Sequence, residues 1–310
     1  MKPYYQVAMF FALTQLLGIF SGIVLIQGSA TSQDIRDISV VPAFLVSNQN
    51  SPMDALATAV LFMFYILFGA VAIVLVARFY KGMVFFKLLE TAVIASASAI
   101  VFFTIAISLG LGFISAFFLG GAAGFLLAVL KFFWVDLKNT AAIISSAGVG
   151  ALFGYSLATT FGVPLGFFAT VAFIILLSIY DYVAVFKTRH MIEMARELST
   201  RQLSFAVTAK SVPERKPKES RKVYVERAMS EGERLDLGTG DLSVPAMISV
   251  AAFTLGPNGL LYSLTIAAGS TIALFLLLRF VSKQRVFLPA LPPICLGGMA
   301  ALLLVKLAGL

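Results

Sequence analysis

The stretch PLGFFATVAFIILLSIYDYVAVF, residues 164–186, holds one ionisable acid, Asp181, in an otherwise apolar run. Wound as a helix rising 1.5 Å per residue, a run of this length crosses the roughly 30 Å hydrocarbon core of a bilayer. A carboxylate inside such a span costs about 2.5–3.5 kcal/mol on insertion scales, so its presence asks for a chemical reason. The rest of the chain has the same texture. Of its 310 residues, 60% are hydrophobic and only 12% charged. A single soluble core cannot hide that much apolar surface, and disorder, a coiled coil and a soluble enzyme are excluded with it.

Uncharged runs bounded by charges or by Gly/Pro turns predict an all-α polytopic membrane protein with nine transmembrane helices. The spans fall at about 4–27, 55–77, 88–108, 111–130, 139–158, 164–186, 235–255, 260–280 and 287–306. Ser108-Leu109-Gly110-Leu111-Gly112 reads as a tight hairpin between the third and fourth, and Gly256-Pro257-Asn258-Gly259 as a turn between the seventh and eighth. The first apolar run exceeds the 7–15 residues of a signal-peptide core, which favours an uncleaved first span over cleavage near Gly28-Ser29-Ala30. The organisation is spans one to six over 1–186, a charged loop over 187–234, and spans seven to nine over 235–310. Within the loop, His190 to Phe205 reads as an amphipathic helix on the membrane surface and Pro213 to Lys222 as a flexible linker.

Assigning Lys and Arg to alternate sides gives an orientation. All 23 except Arg36 and Lys306 fall on one side, twelve of them between Lys187 and Arg234. By the positive-inside rule the N-terminus and long loop are cytoplasmic and the C-terminus is outside. The formal charge of +8 is thereby explained by topology, and nucleic acid drops out as a partner. One Cys (Cys295) and one His (His190) supply neither a disulfide nor a His-rich metal site, so no metal or cofactor is expected. With no His at membrane depth, zinc and Ser–His proteolysis are excluded as well.

Sorting the fifteen acids isolates two. Asp34, Asp37 and Asp54 belong to an outer loop, Asp136 to an inner one, and seven Glu to the long loop. Asp236 sits at the mouth of span seven, and Glu90 lies near enough the start of span three to reach the interface. Asp181 and Asp241 remain. Asp181 is six residues before Lys187, and Asp241 is seven after Arg234. Treated as helical, those distances put both about 9–10 Å below the cytoplasmic surface. Two facing carboxylates in a low dielectric share one proton, the electrostatic arrangement by which aspartic proteases activate water. Gly238-Thr239-Gly240 before Asp241 permits close approach or local unwinding, which a cutter needs if it is to offer backbone partners to an unwound substrate helix. Pro245 cannot donate to the Asp241 carbonyl, and the prolines of Leu288-Pro289-Ala290-Leu291-Pro292-Pro293 argue against a regular helix start there.

Together these residues resemble the presenilin and signal peptide peptidase family of intramembrane aspartyl proteases. Tyr180-Asp181 is similar to the family's Tyr-Asp motif, Gly238-Thr239-Gly240-Asp241 to its Gly-x-Gly-Asp motif, and Pro289-Ala290-Leu291 to its Pro-Ala-Leu motif, in the same order and span numbers. The resemblance implies that Asp181 and Asp241 are the catalytic acids, that Pro289-Ala290-Leu291 shapes the site and docks substrate, and that Tyr180 helps close its wall. It implies transmembrane helical substrates in a lipid bilayer, and the presenilin-like orientation implies that these cross with the N-terminus outside. Presenilin acts in a multi-subunit complex and cuts its own six–seven loop. The short outer loop, 28–53, instead suggests a self-sufficient microbial-type homologue, multi-pass in the cell membrane if prokaryotic, with autoprocessing and homo-oligomerisation left open. A proton-coupled transporter is the competing reading of two acids at membrane depth.

Overall fold

The computed structural model describes residues 2–42, 51–79, 83–134, 136–162, 164–186, 206–211, 233–284 and 289–309. The helices are α1 (Pro3–Thr31), a single turn α2 (Gln33–Arg36), α3 (Pro52–Phe79), α4 (Met83–Ser108), α5 (Phe113–Leu130), α6 (Asp136–Thr160) and α7 (Leu165–Phe186), then α8 (Thr239–Ala252), α9 (Gly259–Gln284) and α10 (Leu291–Leu307). Seven among the described residues are long and apolar enough to cross a membrane, and the apolar helices Thr239–Leu255 and Leu291–Leu307 are shorter. Both expected turns are present. Gly110 takes φ +84°, and the Leu111 N–H reaches back to the Ala106 carbonyl to close α4 before α5 begins. Gly256, at φ +139°, separates α8 from α9.

The all-α expectation needs one correction. Strands β1 (Ala206–Ser211) and β2 (Glu233–Gly238) form an antiparallel pair in the register Ala206↔Gly238 to Ser211↔Glu233. Val207, Ala209 and Leu237 alternate inward and bury against Val7 and Phe11 of α1 and Leu274 of α9. The seventh apolar helix therefore starts at Thr239, four residues later than the hydropathy reading, because 235–238 are extended. The proposed surface helix 190–205 and the linker 213–222 lie outside the described residues.

α8 is the centre of the packing: it touches α1, α6, α7, α9 and α10, and its residues from Ala246 to Ala252 are all buried. Small residues let its neighbours close in. A methyl placed on Gly150 of α6 would stand 2.7 Å from the Ser243 carbonyl oxygen, and one on Gly18 of α1 would stand 3.1 Å from the Ala246 Cβ. α4 and α5 form an intimate hairpin, and α5 makes few contacts with anything else.

A second correction concerns Glu90. Instead of reaching water it is buried, as is Lys131, and the Lys131 Nζ donates to its carboxylate at 2.5 Å. Burial pushes the Lys131 ammonium below its usual range, and the Glu90 hydrogen bond and charge pull it back up. This pair ties the far ends of the α4–α5 hairpin together.

Candidate active site

Asp241 is the third residue of α8. Gly238, extended at φ −63° and ψ 147°, is the N-cap, and its N–H lies within hydrogen-bonding reach of the Asp241 carboxylate. Asp241 occupies the position from which a capping box returns to the N-cap, so the Gly-x-Gly spacer sets the acid in the first turn of its own helix. A methyl on Gly238 would sit 3.4 Å from Asp241 Oδ2, and one on Gly240 would meet nothing within 4 Å. The strand before this turn also revises the depth reading. Arg234 to Gly238 climbs at the strand rise of roughly 3.3 Å per residue, not at the helical one, so Asp241 belongs to the opening turn of α8.

Asp181 lies five residues before the end of α7 at Phe186 and is 6% exposed. Its neighbours Tyr180 and Tyr182 are 46% and 57% exposed, flanking it on two outward sides of α7 while the carboxylate turns inward. Among the described residues, Asp181 Oδ2 has no hydrogen-bond partner. The Leu291 N–H is within reach of the same carboxylate. Pro289 is buried, Ala290 is half-buried and caps α10, and Leu291 is its first residue. The helix does start inside the proline cluster. Pro292 and Pro293 occupy first-turn positions whose amides have no helical acceptor, where proline is tolerated. Two of the first-turn amides are deleted in this way, and the Leu291 N–H, at the first position of α10, remains.

Asp181 and Asp241 are close enough to act on each other electrostatically, and Cys295, 5% exposed on α10, lies within reach of both charges. Thus α7, α8 and α10 bring together the three segments singled out in the sequence. Thr239 and Gly240 line a different space: with Ser145, Ser146 and Ser243 they border a cavity of about 280 Å³ among α3, α4, α6, α7 and α8. Among the described residues, no three His, Cys, Asp or Glu side chains are grouped as metal ligands.

One contact was missed in the sequence. Asn139, at the start of α6, holds the Thr208 backbone with both ends of its amide: Nδ2 donates to the Thr208 carbonyl at 2.9 Å, and the Thr208 N–H donates to Oδ1 at 3.0 Å. A side chain here imitates a neighbouring strand and fixes the sheet that leads into Gly238.

Residues 37–309 match the family model described as signal-peptide peptidase, presenilin aspartyl protease. The chain belongs to this family. The assignment makes it an enzyme, a peptide hydrolase of the intramembrane aspartyl class, and its long apolar helices make it a multi-pass integral membrane protein. Two solved structures of a presenilin family intramembrane aspartate protease share its fold. The one in space group C222 has a TM-score of 0.63 at 18% identity, covering 99% of this chain and 100% of the other. The one in space group P2 has a TM-score of 0.59 at 19% identity, covering 99% of each chain. Among curated proteins, none matches this family member significantly.

Proposed function

We propose that this presenilin-family protease cuts within transmembrane segments by a two-aspartate, water-activating mechanism in which Asp181 and Asp241 are the catalytic pair. The observation that carries it is the meeting of two acids from α7 and α8, sixty residues apart in sequence, with the Leu291 amide of α10 beside one of them. One carboxylate is ionised and takes a proton from a water molecule as that water's oxygen attacks the scissile carbonyl; the other is neutral and gives its proton to the carbonyl oxygen. Collapse of the resulting gem-diol returns a proton to the leaving nitrogen and breaks the C–N bond. Oδ2 of Asp181, unpartnered among the described residues, is the atom available to the water. Pro289-Ala290-Leu291 holds the Asp181 side of the site, and the cavity beside Thr239 and Gly240 receives substrate side chains. Tyr180, next to Asp181 in sequence, helps close the wall of the site.

The same reading has nine crossings, with the two short helices completing the count, and a cytoplasmic N-terminus and 187–234 loop facing an external C-terminus. It places the enzyme in the cell membrane if the source is prokaryotic. The test is incubation of the purified protein with single-span peptides, with products located by mass spectrometry. Fragments ending inside the apolar stretch are expected. Intact peptide, together with pH-driven solute uptake by proteoliposomes, would replace the protease with the transporter reading.

A further inference from the structure

We propose that Gln15 is a positioning residue that holds Asp241 in register with Asp181; this rests on the two-aspartate reading above. Gln15 lies in the middle of α1, an apolar helix, and is 1% exposed. Its Nε2 donates to the main-chain carbonyl of Leu242 at 3.1 Å, across 227 residues of sequence. Leu242 is fully buried and follows Asp241 directly. The other end of the amide, Oε1, is buried without a partner among the described residues. Only the NH₂ end can face a carbonyl, so the orientation of the side chain is fixed by its chemistry.

The amide is placed where α8 is least able to hold itself. Pro245 has no N–H, so the Asp241 carbonyl lacks the donor that a helix would supply four residues on. The first turn of α8, which carries Asp241, is short of one internal tie, and Gln15 supplies an external one at the next carbonyl. Gln15, Gly18 and Gly22 share one face of α1, spaced three and seven residues apart. Gly18 faces Ala246 and Gly22 faces Val250, so this face runs along α8 from Leu242 downwards. For packing alone a leucine of similar size would fill the site and leave no orphaned oxygen. The buried amide adds a fixed height and rotation for the turn bearing Asp241.

The test uses the full-length protein with Gln15→Leu and Gln15→Glu. Gln15→Leu is expected to fold, to lose about tenfold in kcat with KM within about twofold, and to shift the limbs of the pH profile, because the spacing of two coupled carboxylates sets their titration steps. Gln15→Glu can donate to Leu242 only while its acid is neutral, so activity on the alkaline side is expected to be lost while the acid side survives. A residue that merely stabilises the fold would lower the melting temperature and leave the pH profile in place. An infrared carboxyl band, assigned by its loss in Asp241→Ala, gives a readout independent of cleavage; its pH midpoint should move in Gln15→Leu. Wild-type kcat, pH limbs and band midpoint in both variants would overturn the inference, and if Gln15→Leu fails to fold, Gln15→Glu decides. If the wild-type protein cleaves nothing but the band moves in Gln15→Leu, the protease mechanism fails and the positioning role stands.

Discussion

Gly150→Ala adds one methyl at the contact between α6 and α8, where the two helices leave no room for it. The new Cβ would lie 2.6 Å from the Ala246 Cβ and 2.7 Å from the Ser243 carbonyl oxygen, where ordinary contact begins at 3.4 Å. The helices must therefore part by about 0.8 Å at the Ala246 Cβ and about 0.7 Å at the Ser243 oxygen, the differences from 3.4 Å. α8 cannot retreat freely, because Gly18 of α1 already approaches Ala246 from another side. Overpacking of this kind costs about 1–3 kcal/mol of stability. The larger effect is on the site. Ser243 is two residues from Asp241, and a misplacement approaching 1 Å can cost about 100-fold in rate. We expect kcat on a single-span peptide to fall about 10- to 100-fold while the protein still melts cooperatively, a few degrees lower. Gly121→Ala is the control, since a methyl there meets nothing within 4 Å. A Gly150→Ala enzyme with activity within about twofold of wild type would refute the coupling between this contact and the catalytic turn.

Three further outcomes are expected. Glu90→Gln strands Lys131 as a buried unpaired cation and should cost about 3–5 kcal/mol, most of which returns in the double variant with Lys131→Met; additive losses in a thermal double-mutant cycle would exclude a coupled pair. Cleavage should follow a bell-shaped pH profile, because one aspartate must be ionised and the other neutral; activity flat from about pH 4 to 9 speaks against the shared proton. Cysteines introduced into 187–234 should react with impermeant reagent only from the cytoplasmic side of sealed vesicles, and reaction only from the outside would reverse the orientation.

The acids of the site were legible because their surroundings are so poor in charge: Asp181 interrupts an apolar run, and no solvent-facing reason covers it. The hairpin turns were legible from Gly110 and Gly256, whose positive φ angles suit glycine. The β-sheet was harder to see, although Leu235-Asp236-Leu237 does alternate. Three residues of period two at a span boundary read equally well as the start of an apolar helix, and the partner strand lies within a charged loop. Treating Glu90 and Lys131 each by its own distance from water concealed their pairing. They stand 20 residues before and 21 after Gly110, so an antiparallel hairpin must bring them level. Hydropathy weighs residues singly, whereas this pair, Asn139 on Thr208, and the Leu291 amide at Asp181 are relations between elements. Pro292 and Pro293 look like helix breakers in the sequence, but in a first turn they remove amides that had no acceptor.

The central claim is that Asp181 and Asp241 act as one unit, and it is tested most directly by Asp181→Ala and Asp241→Ala in the purified protein. Each variant should retain the helical content of the wild type and show no cleavage of a single-span peptide that the wild type cuts. Because the two carboxylates share the work, the double variant should be no worse than either single one. Wild-type-like cleavage by either folded variant would contradict the account.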